Sequence, residues 1–228
     1  MAVYEGSGGN DILYGSPYRD EIYGYGGNDQ LHGRNGDDYL NGGDGNDTMY
    51  GGDDNSGWDT LIGGNGSDKL HGQNGNDSLR GDGGNDTLYG DNDNDKLFGG
   101  PGNDDLRGGS GNDVLDGYNV GSVEVDRLRG DLGADTFVLG HIYNGQKYYG
   151  YAGSSSWAYI EDFNWTQVDK IQVTGSKGEY KLTTRYEPNA GSSTVLDTLI
   201  WKGNDVLAVV VDRSGINQIS LDSDFNFI

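Results

Sequence analysis

The nonapeptide Gly42-Gly43-Asp44-Gly45-Asn46-Asp47-Thr48-Met49-Tyr50 decides the fold, because it is one copy of many. Moving outward in steps of nine, comparable units begin at Gly6, Gly15, Gly24, Gly33, Gly42, Gly51, Gly63, Gly72, Gly81, Gly90, Gly99, Gly108, Gly117 and Gly130. The unit from Gly51 carries three extra residues and the one from Gly117 carries four. Counted back from the end of each unit, the sixth place is always Asp: Asp11, Asp20, Asp29, Asp38, Asp47, Asp59, Asp68, Asp77, Asp86, Asp95, Asp104, Asp113, Asp126 and Asp135. The eighth place is always apolar, running from Leu13 and Ile22 to Leu128 and Phe137. A fixed short period marks an array whose units bury their apolar residues only against their neighbours.

Each unit joins a six-residue turn to a three-residue strand. Gly stands where a turn needs positive φ or an unobstructed carbonyl, and Asn or Asp tolerates the same region. In the strand the middle side chain points inward and its neighbours outward, because side chains alternate. Over residues 3 to 138 the pattern Gly-Gly-x-Gly-x-Asp-x-apolar-x resembles the RTX, or hemolysin-type calcium-binding repeat, family. The resemblance implies an all-β fold: a right-handed parallel β-roll (a β-solenoid) in which two units make one coil, followed by a β-strand-rich C-terminal cap.

Successive units then turn at opposite edges. One edge carries Asp11, Asp29, Asp47, Asp68, Asp86, Asp104 and Asp126; the other carries Asp20, Asp38, Asp59, Asp77, Asp95, Asp113 and Asp135. Carboxylates stacked at the inter-strand spacing of about 4.8 Å repel one another, so a cation is expected between them. One carboxylate per turn plus turn carbonyls suits Ca²⁺ better than Mg²⁺ or a transition metal. Seven turns per edge leave six gaps, hence several Ca²⁺ and at most about twelve. Fewer are expected, because Tyr18 and Arg19 replace a turn Gly and its neighbour, Asp93 replaces another Gly, and two turns carry insertions. Folding is expected to depend on the metal, since a thin Leu file buries little area and the metal-free chain repels itself.

Composition agrees. The 228 residues include 43 Gly, 3 Pro and no Cys, and 37 acidic against 15 basic side chains give a net charge of −22. Such a charge argues against nucleic acid as a partner, and no apolar run is long enough for a membrane span. Without Cys there are no disulfides and no thiolate metal sites. Of the net charge, −19 falls before residue 138 and −3 after it. Two regions are therefore expected: the repeat roll at 1–138 and the cap at 139–228. In the second, six strands are expected at 157–163, 168–173, 180–186, 194–201, 206–211 and 216–221. The stretches 133–138, 159–163 and 169–173 resemble the flank that follows many RTX repeats. Asp224-Phe225-Asn226-Phe227-Ile228 resembles the ending of type I secretion substrates, which implies the type I secretion machinery as a partner and a secreted, extracellular or cell-surface location.

Other site patterns fail. Asp91-Asn92-Asp93-Asn94-Asp95 alternates oxygen ligands like an EF-hand loop, but Lys96 stands where Gly is required and Gly102 where the bidentate Glu belongs. Triplets such as Asn46-Asp47-Thr48 match a glycosylation acceptor only because the repeat generates them. His32 and His71 are expected two rungs apart with Tyr50 between them, too far to share an ion, and His141 has no partner nearby in sequence. No Gly-x-Ser-x-Gly elbow, P-loop or Cys nucleophile occurs, so no catalysis is expected. The ninth places of one edge read Tyr14, His32, Tyr50, His71, Tyr89, Arg107 and Arg129. This column is either a ladder of cross-strand stacking or, through Tyr14, Tyr50, Tyr89, Arg107 and Arg129, a face for an extracellular polysaccharide. The leading expectation is a non-catalytic extracellular calcium-binding protein. Two others stand beside it: the polysaccharide-binding and secretion module of a larger extracellular enzyme, with which a start in mid-unit is compatible, and a surface-layer or adhesion protein.

Overall fold

The computed structural model describes residues 1–53, 57–117 and 124–139, and beyond them the segments 141–143, 146–148, 157–161, 169–173, 180–185, 197–202, 205–210 and 225–227. Among these residues there are strands and turns and no helix. Two long sheets face each other across a file of apolar side chains, and the chain alternates between them at every unit, giving a β-solenoid of about seven coils. The first sheet stacks the strands centred on Tyr4, Ile22, Leu40, Leu61, Leu79, Leu97, Leu115 and Phe137, each parallel to the last. The second stacks those centred on Leu13, Leu31, Met49, Leu70, Leu88, Leu106 and Leu128 in the same way. Every eighth-place side chain from Ile22 to Phe137 is completely buried. In the first coil Tyr4 and Leu13 are only partly covered.

The strands are longer than the three residues the repeat suggests. Tyr39–Asp44 and Thr87–Asn92, for example, continue through the first three places of the following unit. The pairing steps over the first place, as in Asn41↔Ile62 followed by Gly43↔Gly64. The second-place residue has positive φ, at Tyr25 (72°), Arg34 (82°) and Gly43 (104°) among others, so the backbone kinks there and resumes pairing on both sides. The connecting turn shrinks to the fourth, fifth and sixth places, and the fourth is again left-handed, usually at Gly but at Asp93 (73°) in one unit.

The composition changes at residue 138; the sheets do not. Lys170–Val173 and Phe225–Phe227 extend the first sheet in parallel, setting Ile171 beside Phe137 and Phe225 beside Ile171. Trp157–Ile160 and Asp205–Val210 extend the second, with Ile160 beside Leu128 and Val210 beside Ile160. Asp197–Lys202 and Tyr180–Arg185 then close that sheet in antiparallel order. Five of the six strands expected in this part are present, and the sixth, at 216–221, lies outside the described residues. Two further elements carried no repeat signal: the small hairpin of His141–Tyr143 and Gln146–Tyr148, and the strand Phe225–Phe227.

Candidate metal centre

Alternation fixes where the repeat carboxylates go. The sixth and eighth places share a face, so each Asp points inward at the margin of the Leu file. From Asp20 to Asp135 the repeat Asp are no more than 4% exposed, while Asp11 in the first coil is half-buried. One oxygen of each is used in the same way throughout. Oδ1 of Asp29 accepts the backbone N–H of Asp11 at 2.8 Å, Oδ1 of Asp47 accepts that of Asp29, and the series runs through Asp68, Asp86, Asp104 and Asp126. The opposite edge repeats it from Asp38 to Asp135, beginning with the N–H of Asp20.

The other oxygen is the informative one. Oδ2 of Asp29, Asp47, Asp68, Asp86, Asp95, Asp104 and Asp113 is buried and accepts no hydrogen bond. A buried carboxylate oxygen without a donor is costly unless a cation meets it. The first-place Gly keeps that space open: a Cβ on Gly72 would stand 2.5 Å from Oδ2 of Asp77 and 2.8 Å from the carbonyl of Gly90, one coil on. Burial raises the carboxyls, Asp68 and Asp104 to about 7, Asp126 to about 8 and Asp95 to about 9, with neighbouring acids adding to the effect. Among the described residues no three His, Cys, Asp or Glu side chains converge on one point, so an ion here would take turn carbonyls besides carboxylate. Buried anionic oxygen flanked by backbone oxygen fits a hard, flexible cation such as Ca²⁺ and excludes the nitrogen and sulfur set that zinc prefers.

Three features escaped the sequence reading. The fifth place, treated as variable, is Asn in eight of fourteen units, and its Oδ1 accepts the fifth-place N–H of the next coil: Asn28 to Asn10, Asn46 to Asn28, Asn112 to Asn94. This ladder runs against the Asp ladder, tying each coil to both neighbours. Its signal was the Asn frequency itself. Asp169 extends the Asp ladder past the repeats: it is 2% exposed, and its Oδ1 accepts the N–H of Asp135 at 3.0 Å. Its spacing gave no warning, being 34 residues from Asp135. On the other edge the register brings Ala158 beside Asp126, so among the described residues no carboxylate takes the next place in that file. Finally, two fourth-place acids reach back one coil to a fourth-place N–H, Asp93 to Gly75 and Glu124 to Gly102, both at 3.3 Å.

With this geometry in place, comparison with known proteins identifies it. The RTX calcium-binding nonapeptide repeat matches in four copies, over residues 5–40, 26–56, 54–88 and 89–119. The chain belongs to the RTX calcium-binding repeat family. A search of the curated proteins finds no match. Among solved structures, the extracellular lipase LipA from Serratia marcescens is similar at 19% identity, with a TM-score of 0.23, over 95% of this chain and 40% of that one. The chain thus spans about two fifths of that lipase's length.

The ninth-place column forms a continuous stack. Tyr14, His32, Tyr50, His71 and Tyr89 lie 4.6, 4.9, 5.2 and 4.5 Å apart between ring centroids, all within 11° of parallel. Tyr50 separates the two His, which share no ion. Arg107 closes the stack, its guanidinium 5.6 Å from the Tyr89 centroid, and the guanidinium of Arg34 lies 5.3 Å from that of Tyr14. Ring faces are thus turned to one another. Arg107 and Arg129 hold the carboxylates of Asp105 and Asp131 on their own strands.

Proposed function

We propose that this RTX roll is a secreted, non-catalytic module that folds when calcium enters the gaps between stacked turns. The observation that carries the reading is the file of buried Asp Oδ2 atoms with no donor. Stacked anions of this kind oppose their own burial, so the metal-free chain stays open, and each Ca²⁺ both neutralises a gap and ties two coils together. Extracellular modules of this sort bind Ca²⁺ at roughly 10⁻⁴ to 10⁻³ M, a level met outside cells, so export precedes folding. The ring column serves cross-strand stacking, since its faces are already occupied. Calorimetric Ca²⁺ titration followed by far-UV circular dichroism tests the proposal: uptake of several ions with a matching rise in β signal is expected, and full β signal in excess chelator would refute it.

A further inference from the structure

The first turn on each edge departs from the rest. In residues 6–11 and 15–20 the second place is Ser, and Ser7 and Ser16 are the only serines at that place in the fourteen units. Both the N–H and the hydroxyl of Ser7 donate to Oδ2 of Asp11, at 2.6 and 2.8 Å. Ser16 does the same to Oδ2 of Asp20, at 2.6 and 2.7 Å. This is the very oxygen that Asp29, Asp47, Asp68, Asp86, Asp95, Asp104 and Asp113 leave without a donor. The backbone differs with it. Left-handed residues recur at the second and fourth places of later units, yet none occurs before Tyr25, so the second-place amide here turns toward its own carboxylate. The hydroxyls also brace the turn, accepting the N–H of Gly9 at 3.2 Å and of Tyr18 at 3.3 Å.

Resting on the calcium reading above, we propose that Ser7 and Ser16 take the place of calcium in the first turn of each edge, and that the metal ladder starts with the turns of Asp29 and Asp38. Two donors already satisfy the lone pairs that a cation would use, and an ion would have to displace both. The clamped turns still present the N–H groups of Asp11 and Asp20 to Oδ1 of Asp29 and Asp38, at 2.8 and 2.7 Å. They thus orient the first two metal-binding carboxylates without holding metal. Leaving out the first gap on each edge lowers the ceiling from about twelve ions to about ten.

The test is the number of Ca²⁺ bound per chain at saturation, from calorimetry and from elemental analysis after gel filtration, for the wild type and three double variants. D11N/D20N is expected to keep the wild-type count, with its folding midpoint in Ca²⁺ shifted less than about twofold, whereas D86N/D95N loses at least two ions. Loss of an ion in folded D11N/D20N would overturn the proposal. S7G/S16G, which frees both oxygens and gives the turns the glycine of the later units, is expected to bind more Ca²⁺ than the wild type, and an unchanged count would also overturn it. A wild type that takes up no Ca²⁺ would instead remove the underlying calcium reading.

Discussion

The coils built from repeats and the strands after residue 139 use one interior and two different edges. Inside, Leu128 continues into Ile160 and Val210, and Phe137 into Ile171 and Phe225, with the register unbroken. At the edges, the repeats place a buried carboxylate at every turn, while beyond them Asp169 alone continues the described ladder and Ala158 ends the other. Apolar alternation therefore suffices to add a strand to the stack, and the Asp and Gly of the repeats answer to something else: they make turns that bury carboxylate oxygens without a donor, which the calcium proposal explains. Metal dependence should reside in the first region and be inherited by the second only through contact.

Removing the metal should produce the largest effect. Excess chelator is expected to abolish most of the far-UV β signal, because the buried carboxylates lose their counter-charge together. A β signal that survives chelation in proportion to the strands after residue 139 would show those strands standing alone and would break the comparison.

Acid should partly replace calcium. Burial raises the folded-state pKa of Asp86 to about 6, of Asp68 and Asp104 to about 7, of Asp126 to about 8 and of Asp95 to about 9, all above the ordinary 3.8. Between roughly pH 4 and pH 9 the folded state then holds more protons than the unfolded one, so the stability of the metal-free roll falls as pH rises. In chelator, lowering the pH from 9 to 4 is expected to restore β signal; a signal that falls further on acidification would contradict the sign. Asp20 moves the opposite way: burial would raise it, but the hydrogen bonds from Ser16 and Ala2 hold it below the usual range.

How much of this was legible depended on whether the residue repeats. The period gave the repeating unit and the inward Leu file, which are statements about spacing; the solenoid, and with it the membership of both Asp edges, came from the two-units-per-coil roll that the family resemblance implies. The orphaned Oδ2 and the clamped one are identical Asp in sequence; only the neighbouring Ser7 and Ser16 separate them, and that distinction needs turn geometry. Asp169 was hidden because its link to Asp135 crosses an irregular connection. The long strands were missed because a Gly-rich stretch reads as turn even where it pairs on both sides of a kink.

Two substitutions sharpen the contrast between interior and edge. Leu88→Ala empties a fully buried place in the middle of the file and is expected to cost about 2–5 kcal/mol in calcium-saturated thermal or denaturant unfolding, with no change in ion count. Asp169→Asn exchanges a charged acceptor for a neutral one and is expected to cost less, about 1–2 kcal/mol, with the loss of protection concentrated in Lys170–Val173 by hydrogen exchange. A loss of protection spread evenly through the repeats would mean that the two regions fold as one unit.

The smallest effect belongs to the outer face. Tyr50 lies between His32 and His71, at 4.9 and 5.2 Å, so Tyr50→Ala removes two stacked contacts on a half-buried surface. Cross-strand pairs of this kind contribute roughly 0.2–1 kcal/mol each, which puts the expected cost at about 1 kcal/mol. Burial, with the Arg34 charge, holds His32 below its ordinary pKa, so at neutral pH its ring enters the stack uncharged and the contact is one of ring faces rather than of a cation on a ring. Tyr50→Phe keeps the face and loses only the hydroxyl, and it should restore most of the stability. Neither variant should alter the calcium count, because the ninth place points away from the file that the carboxylates line. A changed count in Tyr50→Ala with a normal count in Tyr50→Phe would show that the stack sets the spacing of the turns, and the separation of outer face from metal-binding edge would fail.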